Sequence, residues 1–119
     1  MTSKPISLPT SWTVNRLAGA LGAEIHGPNI NQISHEEVNA LKELLHEHLV
    51  IFLPEQAPTV EAHIKFGRCF GPLEGHPNLS SNSKLPPEIF ELRATNGGVA
   101  DEWHTDLTFQ EQPAVMSVL

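Results

Sequence analysis

The sequence predicts an α+β chain whose sheet is incomplete, and three observations predict it. One is a helix with a capping signature and a leucine stripe over 34–49. Another is a set of short β-like runs on either side of that helix. The last is the tail at 114–119, which begins a strand with nothing after it to pair with. A closed all-β core needs more strands than such a tail provides. The chain therefore reads as the amino-terminal part of a larger domain.

Taken in order, residues 1–11 carry Pro5 and Pro9 among Ser and Thr, and form a flexible lead-in. From Trp12 to Ile25 the pattern is β-like, and Gly19 and Gly22 divide it into two short strands joined by a turn. Gly27-Pro28-Asn29 breaks the chain. Ser34, with Glu37 three residues later, is a capping box, in which hydroxyl and carboxylate each satisfy a backbone N–H at a helix start. Val38, Leu41, Leu44, Leu45 and Leu49 follow at helical spacing as one apolar face. His35, His46 and His48 are assigned to the solvated side of this helix.

Val50 to Leu53 is a continuous apolar run stopped by Pro54, as expected of a strand buried on both faces. Thr59 caps a second helix with Ala62, Phe66, Cys69 and Phe70 along one side, ended by Gly71-Pro72. A long polar loop with adjacent prolines follows, then a strand over 89–93, the Asn96-Gly97-Gly98 turn, and a strand over 101–109. The region 12–119 is read as one domain segment.

Composition bounds the function. Of 119 residues, 14 are acidic and 7 basic, a formal charge of −7, and no cluster of Lys or Arg offers a surface to nucleic acid or anionic membrane. A small-molecule partner fits better. No apolar run approaches a membrane span and no secretory pattern opens the sequence, so a soluble, cytoplasmic chain is expected. Cys69 is the single cysteine, which rules out an internal disulfide and a multi-cysteine zinc site; it is expected as a small buried hydrophobe.

The chemistry lies in Asp101 to Phe109. On a strand, residues two apart point to one side, so the imidazole of His104 and the carboxylate of Asp106 would converge as two cis ligands for one metal ion. Two histidines and one carboxylate on one face of an octahedron leave three positions free, as a non-haem iron(II) oxygenase requires. Spacing alone leaves this open, because His-x-Asp is also a common hydrogen-bonded pair. Zinc, held with a further histidine such as His76 in a structural or hydrolytic site, is the other metal reading.

Leu21-Gly22-Ala23-Glu24-Ile25, the leucine helix, Val50-Ile51-Phe52-Leu53, Phe66-Gly67 with Phe70-Gly71-Pro72-Leu73, His76-Pro77 and Trp103-His104-Thr105-Asp106-Leu107-Thr108-Phe109 occur in an order that resembles the taurine dioxygenase (TauD/TfdA) family. The resemblance implies a double-stranded β-helix, or jelly roll, with flanking helices, of which this chain is the amino-terminal part. It implies Fe(II) as cofactor, 2-oxoglutarate and O2 as co-substrates, and hydroxylation of a small organic acid with succinate and CO2 as co-products. His104 and Asp106 correspond to iron ligands, and His76 to the histidine that meets the substrate's anionic group. Phe109 corresponds to a pocket-lining position, although a core aromatic on a strand is an equal reading.

Leu79 and Ala100 stand where the taurine enzyme has a tyrosine and an asparagine, and the chain has no tyrosine at all. Substrates other than taurine are therefore implied, such as an alkyl sulfate, a sulfonate or an aryloxyacetate. No histidine follows Asp106 and no arginine follows Arg93. The third ligand and the 2-oxoglutarate-binding arginine of the family are thus expected beyond this segment, and the 119 residues alone are expected to bind iron weakly and to be inactive. The resemblance also leaves room for a homo-oligomer. The alternative is a non-catalytic, truncated pseudo-enzyme or small binding module.

Overall fold

The computed structural model describes residues 7–75, 84–89, 102–106 and 108–119. Two compact units divide the chain, Met1–Phe70 and Gly71–Leu119.

The first unit holds a three-stranded sheet in the order β1 (Thr13–Arg16), β2 (Ala23–His26), β3 (Ile51–Phe52). β1 and β2 form an antiparallel hairpin in which Val14 faces Ile25 and Asn15 faces Glu24. Its loop is closed by the Leu17 N–H donating to the Gly22 carbonyl at 3.1 Å. Gly22 takes φ +90°, a value open to glycine at little cost, so the expected turn falls where the sequence places a glycine.

A single 3-10 turn (Ile30–Gln32) precedes α1 (His35–His48). The expected capping box is present: the Ser34 hydroxyl accepts from the Glu37 N–H, and the Glu37 carboxylate accepts from the Ser34 N–H, both at 3.1 Å. α1 buries Val38, Ala40, Leu41 and Leu44, while β2 buries Ala23 and Ile25. Full burial of side chains such as Ile25, Leu41 and Leu44 stabilises by about 1.5–3 kcal/mol each.

Two expectations about α1 are corrected. His48 is only 4% exposed rather than solvated. It lies four residues past Leu44 and seven past Leu41, so the helical period carries it onto the apolar stripe. Leu49, expected on that stripe, is instead 65% exposed. It ends the helix at φ +68°, with its N–H donating to the Leu45 carbonyl at 2.7 Å, and the turn swings its side chain outward.

α1 is the crossover between the parallel strands β2 and β3, whose register pairs Ala23 with Ile51 and Glu24 with Phe52. The expectation of a strand buried on both faces is also corrected. β3 has two residues, is hydrogen-bonded on one side only, and leaves Phe52 53% exposed. It is an edge strand of this sheet.

α2 (Val60–Arg68) is capped by Thr59, whose hydroxyl accepts from the Ala62 N–H at 3.0 Å. Phe66 is its buried anchor and meets Phe70 edge-on, with ring centroids 5.2 Å apart. Cys69 is half-buried, its thiol donating to the Lys65 carbonyl at 3.3 Å, rather than fully enclosed.

Two side-chain amides fix how this helix is approached. Gln56 accepts from the Ile30 N–H at 3.0 Å and donates to the carbonyls of Pro28 at 2.8 Å and Pro54 at 3.3 Å. Asn31 donates to the Ala57 carbonyl at 3.1 Å and accepts from the Thr59 N–H at 3.2 Å. Loop backbone groups that no ladder serves are satisfied in this way.

The described residues of the second unit contain no helix or strand. Ile89, expected to open a strand, donates its N–H to the Pro86 carbonyl at 3.0 Å in a turn. The rest of that expected strand, 90–93, lies outside the described residues. The strands expected over 101–109 and 114–119 are absent from what is described, and Val115 and Leu119 are solvent-exposed. A strand exists only through its ladder, and no ladder is formed by the described residues of this unit.

Candidate metal site

His104 and Asp106 are brought together, but by a different device from strand alternation. Residues 103–105 are irregular, the chain bends at Asp106, and 108–109 form a turn. The Nδ1–H of His104 donates to the Glu102 carbonyl at 2.7 Å. The hydroxyls of Thr105 and Thr108 hydrogen-bond across the bend. Local bonds of this kind compete with a ladder for control of the backbone, which is why the segment turns where side-chain pattern alone suggests a strand.

The result is a short, solvent-accessible pair: His104 Nε2 lies 3.3 Å from Asp106 Oδ1, with both side chains more than half exposed. Because a carbonyl only accepts, the bond to Glu102 puts a proton on Nδ1 and leaves Nε2 as the free ring atom. In the neutral imidazole, Nε2 then presents a lone pair to a carboxylate oxygen. A metal ion placed between these two atoms would be attracted by both. Cis ligands about 2.1 Å from one ion, at a right angle, lie about 3.0 Å apart, so the pair is close to a chelating bite. The donor set, one imidazole nitrogen and one carboxylate oxygen, fits two of the three protein positions of an iron(II) facial site. Among the described residues, no third His, Cys, Asp or Glu completes a cluster around them.

His76, with Leu79 and Ala100, lies outside the described residues. Phe109 is 67% exposed, so within this unit it is not a core aromatic. Trp103, next to His104 in the chain, is fully exposed. Sequence reasoning passed over Glu102, Thr105 and Thr108. The signal available for the last two was a pair of threonines three apart on either side of Asp106.

In the first unit, an open depression of about 520 Å³ is bordered by Val14, Arg16, Leu44, Glu47 and His48. Arg16 and Glu47 are paired there at 3.0 Å, so their charges are turned on each other. No described helix is long and apolar enough to cross a membrane.

Comparison with known proteins supplies the class. The chain is similar to a solved taurine dioxygenase from Burkholderia xenovorans, at 33% identity and TM-score 0.68, over 87% of this chain and 37% of that one. It is 32% identical to an alkylsulfatase of Acinetobacter baylyi, over 89% of this chain and 34% of the relative. It is 30% identical to an alpha-ketoglutarate-dependent sulfate ester dioxygenase of Pseudomonas putida, over 89% of this chain and 36% of the relative. The Taurine catabolism dioxygenase TauD, TfdA family matches residues 13–119, and the chain belongs to that family. It spans about a third of the length of the curated relatives it matches.

Proposed function

We propose that this chain carries two of the three protein ligands of an iron(II)- and 2-oxoglutarate-dependent dioxygenase that hydroxylates a small organic acid. The observation that carries the reading is the 3.3 Å approach of His104 Nε2 to Asp106 Oδ1, with Nδ1 committed to the Glu102 carbonyl, in a member of this family. On this reading residues 12–119 are the amino-terminal part of a jelly-roll domain. The third ligand and the arginine for 2-oxoglutarate come from residues outside this sequence.

Iron(II), when bound, would activate O2, the oxidant, so that decarboxylation of 2-oxoglutarate to succinate and CO2 is coupled to C–H hydroxylation. The chain's own residues hold and orient. Glu102 fixes the tautomer of His104 through its backbone, and Asp106 supplies one negative charge to offset the cation. His76 is assigned to the anionic group of the substrate, and Phe109 to the wall beside it. Leu79 and Ala100 are less polar than the tyrosine and asparagine of the taurine enzyme, and relatives named for sulfate esters support an alkyl sulfate over taurine.

The test is anaerobic titration of the chain with Fe(II) and 2-oxoglutarate, followed by calorimetry and by visible charge-transfer absorption, alongside His104→Ala. Weak Fe(II) binding that disappears in the variant is expected. Equal binding by the two proteins would remove His104 from the site and favour the non-catalytic reading.

A further inference from the structure

We infer that Thr105 and Thr108 are positioning residues for the ligand pair, acting through the bend that carries Asp106; the inference rests on the metal reading of His104 and Asp106. The two ligands are held from opposite sides. His104 is fixed by the carbonyl of Glu102, two residues before it. Asp106 has no described hydrogen bond of its own that aims it, and its side chain is more exposed than that of His104. What bears on its direction is the bend of the backbone at Asp106 itself. The hydroxyls of Thr105 and Thr108, on either side of that bend, bond to each other.

This matters because the strand that would otherwise set the His-x-Asp geometry is not formed by the described residues. Without the threonine bond, the bend at Asp106 has one less restraint, and the carboxylate samples directions away from Nε2. A cation binding the pair must then supply the ordering free energy itself, and its affinity falls. Outer-shell partners that orient metal ligands are typically worth about 10–100-fold in metal affinity. An exposed hydroxyl pair belongs at the low end of that range.

The experiment is titration of the chain with Co(II) alone, read by calorimetry and by the visible d–d absorption of the bound ion, in the parent, Thr108→Val, Thr108→Ser, Thr105→Val, the double valine variant and His104→Ala. Thr108→Val is expected to weaken binding about tenfold and to alter the d–d spectrum. Thr108→Ser, which keeps the hydroxyl, should restore both. Because one bond joins the two residues, the double valine variant should lose no more than either single variant. Parent-like affinity and spectrum in Thr108→Val, with binding lost in His104→Ala, would overturn the positioning role and leave the metal site standing. Binding that survives in His104→Ala would overturn the metal reading and this inference with it.

Discussion

The Oδ1 atom of Asp106 faces the Nε2 atom of His104 at 3.3 Å, while the opposite ring nitrogen of His104 is tied to its own backbone two residues upstream. One ring atom is thus reserved for structure and the other is presented. Asp106→Asn keeps the shape but removes the negative charge and half of the acceptor capacity. It should weaken divalent-cation binding by at least about tenfold, the loss already typical of second-shell changes, as read by calorimetry with Mn(II). Affinity equal to the parent would show that Asp106 is not a ligand.

Gln56 makes three bonds to backbone groups of two separate loops, all of them partly shielded from water. Gln56→Ala leaves the Ile30 N–H and the Pro28 carbonyl without those partners. The expected cost is about 1–3 kcal/mol. Denaturant unfolding followed by the fluorescence of Trp12, in a Trp103→Phe background, would register it as a lower midpoint. Gln56→Glu should recover only the Ile30 bond.

Gly27 adopts φ +124°, and a Cβ built there would lie 2.6 Å from Cδ1 of Trp12 and 3.2 Å from the Ser11 carbonyl oxygen. Trp12 is buried, so its ring has little room to retreat. Gly27→Ala combines overlap with an unfavourable backbone and should destabilise by roughly 2–4 kcal/mol, with a red shift of Trp12 emission. An unchanged midpoint would mean that the Trp12 ring is not seated against this turn.

Leu49 offers the opposite case. Its positive φ is costly for a side chain bearing a Cβ, and most of that side chain is in solvent. Leu49→Gly relieves the backbone while adding freedom to the unfolded chain, and the balance should raise stability by about 0.5–1 kcal/mol. A lower unfolding midpoint would show that the exposed leucine contributes packing that outweighs its strain.

The hairpin, both helices and the capping box were legible because each depends on residues close in sequence: Gly22 at the turn, Ser34 with Glu37, Thr59 before Val60. His48 was legible in principle, since it sits on the helical period of Leu41 and Leu44, but its polar character drew it to the wrong side. Val50 to Leu53 reads as a buried strand because apolar runs carry no information about how many neighbours a strand has. Gln56 and Asn31 act across more than twenty residues through amides in irregular loops, where no periodicity marks them. For the proposed site, the nearness of His104 to Asp106 was legible and the hydrogen bonds around the pair were not. The strand period predicts convergence of His104 and Asp106, whereas the structure reaches it through a carbonyl and two hydroxyls.

The parallel pairing of Ala23 with Ile51 also orders events in time. The hairpin and the capped helix close short loops and can form early, but β3 has nothing to join until the chain has travelled through all of α1 and returned. The β2–β3 pairing is therefore expected to form after the hairpin and the helix. A change that only frays the start of α1, such as loss of the Ser34 hydroxyl, should slow the arrival of a strand seventeen residues away while leaving the hairpin untouched.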